Sequence, residues 1–154
     1  MKIRIGEEVL TEHIRVRVRL DYKGAGKTGR FLFGGKSKEE MAEQTREQEV
    51  ALLRNIPLQG IVIEEFDLSL DIYTVNDFDG RRNKETAYAP IILTLRLENV
   101  DDLLPLVLKP EFRKIEFLSP ENLNIYRLDA ERLLFRVHQL MQEEVKKLER
   151  KFQN

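Results

Sequence analysis

The chain has 154 residues, enough for one domain with one core that needs no disulfide or metal to hold it. It contains no cysteine, which excludes a disulfide framework, a thiolate zinc site and a cysteine nucleophile and makes the cytoplasm the simplest location. Its net charge of -1 argues against a dedicated nucleic-acid binder, and neither a signal-peptide run nor the roughly 20 apolar residues of a membrane span occurs in it.

Charge is unevenly placed. Residues 1–38 carry ten Lys/Arg against four Asp/Glu, whereas residues 39–80 carry two against eleven, so the two blocks are electrostatically complementary. The first regular element is HIRVRVRLDY, where Ile14, Val16, Val18, Leu20 and Tyr22 alternate with Arg15, Arg17, Arg19 and Asp21. Period-two alternation of this kind predicts a strand with one buried and one wet face. Gly24-Ala25-Gly26-Lys27 then reads as a turn into a second arm over 28–33, the glycines supplying backbone angles that a Cβ resists.

Ser37 with Glu40 three residues later is a capping box and opens a helix that stops before Pro57, with Met41, Thr45, Gln48, Leu52 and Ile56 as its expected inward stripe. GIVIEEFDLSLDIY and AYAPIILTLRLE follow as two alternating strands. With Asp79-Gly80 as the hairpin tip, Phe66, Leu68, Leu70 and Ile72 fall opposite Leu93, Ile91, Ala89 and Ala87. The polar tip at about 76–85 is expected to project. Asn99 and Asp102 mark a short helix with Pro105 inside it, RKIEFL a strand, and Asp129 the cap of a long final helix. That helix carries Leu133, Leu134, Val137, Met141, Val145, Leu148 and Phe152 as a seam and Glu143 with Lys147 as a supporting pair.

These elements predict a single two-layer α+β domain with a mainly antiparallel sheet and helices on one face. The order is ferredoxin-like, β-α-β-β-α-β counted from the arm at 28–33, with an extra N-terminal strand and a long C-terminal helix.

Chemistry is sparse. Gly-Lys-[Ser/Thr] occurs twice, at Gly26-Lys27-Thr28 and Gly35-Lys36-Ser37. A phosphate-wrapping loop also needs a glycine five residues before the second one, and those places hold Asp21 and Arg30. A weaker anion site remains at Gly34, Gly35, Lys36 and Ser37, opposed by Glu39, Glu40 and Glu43. Arg15, Arg17 and Arg19, joined by Lys27 and Arg30, form a basic strand face that either tracks a nucleic-acid backbone or is neutralised by Glu65, Asp67 and Asp71 on a nearby strand. The tongue adds Phe78, Arg81, Arg82 and Lys84 as partner-binding candidates, and fails as a calcium loop because Val75 and Thr86 occupy the first and twelfth ligand places.

His13 and His138 lie far apart and no Ser/His/Asp set assembles, so no catalytic residue, metal or cofactor is expected. The functional expectation is a non-catalytic intracellular protein-interaction or assembly module that self-associates, without membrane contact. Weak nucleic-acid binding is the alternative, and a phosphate- or nucleotide-binding enzyme at Gly34–Ser37 comes after it.

Overall fold

The computed structural model describes residues 2–5, 8–11, 13–24, 37–79 and 82–153, with side chains from 13–24, 37–76 and 84–153. The fold is α+β, a five-stranded antiparallel sheet with three helices, the last of them long.

A short hairpin, β1 (Lys2–Ile5) and β2 (Glu8–Thr11), stands as its own two-stranded sheet, an element the sequence reading left out. β3 (Ile14–Lys23) follows the predicted alternation: Ile14, Val16, Val18, Leu20 and Tyr22 are buried. The arm expected over 28–33 lies outside the described residues. α1 (Lys38–Asn55) starts at Ser37, whose hydroxyl accepts from the Glu40 amide at 3.2 Å, and ends before Pro57. Its buried face is Ala42, Arg46 and Val50, whereas the expected stripe is displaced, with Leu52 and Ile56 exposed. Arg46 explains the rotation. Its guanidinium donates to the carbonyls of Pro90 (3.0 Å) and Leu70 (3.4 Å), so a long cationic side chain serves as a rivet between helix and sheet where a pattern rule looks for an apolar one.

The second hairpin departs from expectation midway. β4 (Ile61–Asp67) pairs with the far half of β6 (Arg82–Leu97), and Phe66 does face Leu93. Residues 68–72 leave the sheet, and β5 (Tyr73–Asp79) resumes with Tyr73 opposite Tyr88 and Asp79 opposite Arg82. Asp79, expected at the tip, is therefore still in the ladder, and Gly80 and Arg81 lie outside the described residues. Leu68 and Leu70 are partly exposed because the expected partners of this stretch are not strand neighbours. A bulge between Ile63 and Glu65 adds a further shift that keeps Ile61, Ile63 and Phe66 against the core.

Strand order is β4-β6-β3-β7, with β5 also on β6 and β7 (Phe112–Ser119) at the far edge. Between β6 and β7 a 3₁₀ turn (Val100–Leu103) runs into α2 (Leu104–Val107), so Pro105 sits in a first turn where its missing N–H costs nothing, not inside a helix. Val50 of α1, Leu103 and Leu106 close over Val16, Val18, Leu20, Ile91, Leu93, Leu95 and Leu97, so these helical elements share one face of the sheet.

α3 (Arg127–Gln153) begins two residues before the expected cap. Asp129 sits in its first turn and accepts from the Tyr126 amide at 3.3 Å. An ion pair along it joins Lys147 to Glu144 (3.2 Å), in place of the expected Glu143.

Candidate functional site

Two surfaces emerge from this layout. The first is the sheet face turned away from α1 and α2. Arg15, Arg17 and Arg19 stand there in a row, as the alternation requires. Their ion-pair partners are not the expected Glu65, Asp67 and Asp71. Arg15 reaches across β6 to Glu64 (3.2 Å), the residue that the bulge adds. Arg17 turns the other way to Glu116 on β7 (3.4 Å), and Arg19 bends along its own strand to Asp21 (2.9 Å). Asp67 carries a depressed pKa chiefly because Ser69 donates to its carboxylate, with Arg17 a lesser influence.

Asp21 is the unexpected member of this face. Alternation predicts a wet side chain, yet it is 2% exposed. The Tyr73 hydroxyl donates to it, the Arg19 guanidinium holds it, and Arg113 lies 3.8 Å away. Tyr73 stacks on Tyr88 at 5.5 Å and Arg113 lies over the Tyr88 ring at 5.5 Å, so aromatic surface shields the carboxylate from water. Burial and then the Asp21 hydrogen bond raise the Tyr73 pKa, while Asp21 raises that of Arg19. Arg19 and Tyr73 hydrogen-bond the carboxylate and Arg113 pairs with it at longer range, which makes this cluster a lock between strands. The one sequence signal for it is an acidic residue ending an otherwise basic row.

The second surface is α3. Its first half is moored. Arg132 reaches Asn99 (3.4 Å), Asp101 (3.6 Å) and Asp129 (3.2 Å), and Ala130, Leu133, Val137 and Leu140 are half-buried. Asp102 beside this mooring has its pKa raised by burial first and by Asp101 second, with Arg136 and Arg132 opposing. A hollow of about 190 Å³ lined by Leu58, Ile61, Asp102, Leu106 and Arg136 is smaller than the roughly 300 Å³ at which small-molecule pockets begin. From Met141 to Gln153 every side chain is exposed. Leu134, Phe135, Met141, Val145, Leu148 and Phe152 are between 42% and 87% exposed, and no α3 residue is fully buried. The seam expected from the sequence is split in α3: Leu133 and Val137 turn toward the body, while Leu134, Met141, Val145, Leu148 and Phe152 are exposed.

Other predicted positions are scattered. Ser37 is committed to its helix cap, while Lys27, Arg30, Gly34, Gly35, Lys36 and Arg81 lie outside the described residues. Phe78 and Arg82 fall on β5 and β6 with side chains outside the described set. Lys84 is exposed, opposite Asp77. Among the described residues no cluster of three metal-ligating side chains forms, and no helix is long and apolar enough to cross a membrane. No family model, curated protein or solved structure matches the chain.

Proposed function

We propose that this protein is a non-catalytic interaction module, acting in the cytoplasm, that self-associates through the exposed apolar side of α3. The observation that carries this reading is the row Leu134, Met141, Val145, Leu148 and Phe152, left in water beside Phe135 on a helix whose other side is already moored. Scattered surface leucines need no explanation, but a contiguous apolar strip of this length does. At about 200 Å² for a large side chain, the exposed fractions leave roughly 700 Å² of apolar surface on each copy. Two copies together reach the 1,200–2,000 Å² or so of a stable protein interface. The architecture suits such a role: counting β4 and β5 as one interrupted arm and starting at β3, the order can be read as ferredoxin-like, a frame that leaves α3 as an appendage.

Nucleic-acid binding draws less support, since Arg15, Arg17 and Arg19 each have a carboxylate partner. The two readings separate by experiment. Light scattering after size exclusion, at micromolar concentrations, is expected to give a mass above the 18.2 kDa of one chain. Met141→Glu and Leu148→Glu, both at exposed positions, are expected to return it to that mass with helical circular dichroism retained. A wild-type chain that stays monomeric at 100 µM or so, far above the micromolar range in which weak dimers form, contradicts the proposal.

A further inference from the structure

We infer that two copies pair their α3 helices antiparallel about Glu143, with Leu134 of each copy against Phe152 of the other. This rests on the self-association reading and adds its geometry.

Leu134, His138, Met141, Val145, Leu148 and Phe152 are spaced four, three, four, three and four residues apart, the alternation that keeps one seam of a helix against a partner. The series reads the same from either end. Reversing one helix over the other therefore sets Leu134 against Phe152, His138 against Leu148 and Met141 against Val145, and each layer combines one residue of either heptad phase. The seam is also free to be used. At about 100° per residue, Leu133, Val137 and Leu140, which face the body, lie roughly a quarter turn from it, so a second helix does not compete with the chain's own mooring.

Charge decides the direction. The same spacing continues the seam backwards through Glu131 and Arg127. A parallel, in-register pair brings Arg127 against Arg127 and Glu131 against Glu131, and it sets the flanking Glu144 beside Glu149 twice over, like charges at each of these contacts. In the antiparallel pair neither Arg127 nor Glu131 meets its own copy. Its one like-charge contact is Glu144 with its own copy, and that carboxylate is already held by Lys147 at 3.2 Å.

The absence of cysteine gives a clean test. Leu134→Cys and Phe152→Cys are made in the full chain, oxidised separately and as a mixture, and resolved on a non-reducing gel, with light scattering on the unoxidised samples. Antiparallel pairing predicts a disulfide-linked dimer in the mixture and its loss in each variant alone, because two Leu134 positions are then about 27 Å apart and a disulfide needs roughly 7 Å or less between Cα atoms. Linkage of each variant to itself would mean parallel helices, overturning this inference while leaving self-association standing. A dimer by light scattering with no linkage in any sample overturns it equally. Monomers throughout remove the underlying reading as well.

Discussion

The Tyr73 hydroxyl donates to the Asp21 carboxylate over the top of β6, tying the interrupted arm of the sheet to its central strand. Because Asp21 is withdrawn from water, removing a donor is not compensated by solvent. Tyr73→Phe is expected to lower stability by about 1.5–3 kcal/mol, the usual range for a hydrogen bond to a charged group. Asp21→Ala is expected to cost about 2–3 kcal/mol, below the usual figure for breaking a buried pair, since Arg19 and Arg113 are partly exposed and regain water. Urea midpoints of the three proteins check both. A Tyr73→Phe midpoint equal to the parent's would show the contact to be idle.

Alkaline pH tests the two inward-shifted phenols. Burial raises the Tyr22 pKa, with Glu49 and Glu111 adding to it, and burial followed by Asp21 raises that of Tyr73. A raised folded-state pKa contributes stability that is whole below the ordinary tyrosine value of about 10 and is lost as pH climbs through the folded value. Stability is thus expected to fall above pH 10 or so. The Tyr22 hydroxyl has no hydrogen-bond partner among the described residues. Tyr22→Phe is therefore expected to raise stability at pH 7 by about 1 kcal/mol and to flatten the alkaline fall. Urea midpoints at pH 8 and pH 10.5 measure both effects, and a loss on this substitution at pH 7 would point to an unseen partner.

Asp102 supplies the acid-side counterpart. Its folded pKa is raised, so it favours the fold at pH values below the ordinary carboxylate range, and this contribution disappears as pH rises through the folded pKa. At neutral pH the ionised group is a burden. Asp102→Asn is expected to raise the melting temperature at pH 7 and to converge with the parent below about pH 4. Melting curves of both proteins across that window decide it.

Gly60 meets the same carboxylate from the other side. It has a φ of +76°, and a Cβ there would fall on the Asp102 side chain. Gly60→Ala is expected to cost about 2 kcal/mol or more, part backbone and part collision. In a Gly60→Ala/Asp102→Ala double variant the collision disappears and about 1–2 kcal/mol of backbone cost remains. Simple additivity of the two single effects would remove the contact from the account.

Ser37→Ala is expected to cost about 1 kcal/mol by freeing the Glu40 amide, measured as a fall in urea midpoint. A null result would mean that water serves that amide equally well.

β3 and the far half of β6 were legible because strict alternation on a half-buried strand has one solution, and α1 because Ser37 and Pro57 mark both its ends. The register of the second hairpin was legible only in part. Phe66 facing Leu93 is correct, but the pairing then moves by two residues across 68–72. A one-residue slip would have turned apolar side chains outward and betrayed itself; a two-residue move keeps every face and leaves no trace in the pattern. Arg46 and Asp21 were hidden for a related reason. Each is charged, each is buried, and each owes its burial to a partner distant in sequence, Pro90 for Arg46 and Tyr73 for Asp21, so local spacing does not point to either. The α3 seam was legible as a pattern, and its division into a half-buried part at Leu133 and Val137 and an exposed part from Met141 on was not, because coverage depends on where the sheet ends.

α3 leaves its mooring near Leu140 and carries on for about 20 Å. Taken as a lever with its fulcrum at the groups around Arg132, the helix has an arm of about 30 Å to Phe152, so a tilt of about 10° there sweeps Phe152 through roughly 5 Å. The aim of the far end is thus set by Asp101 and Asn99, residues that the far end never touches.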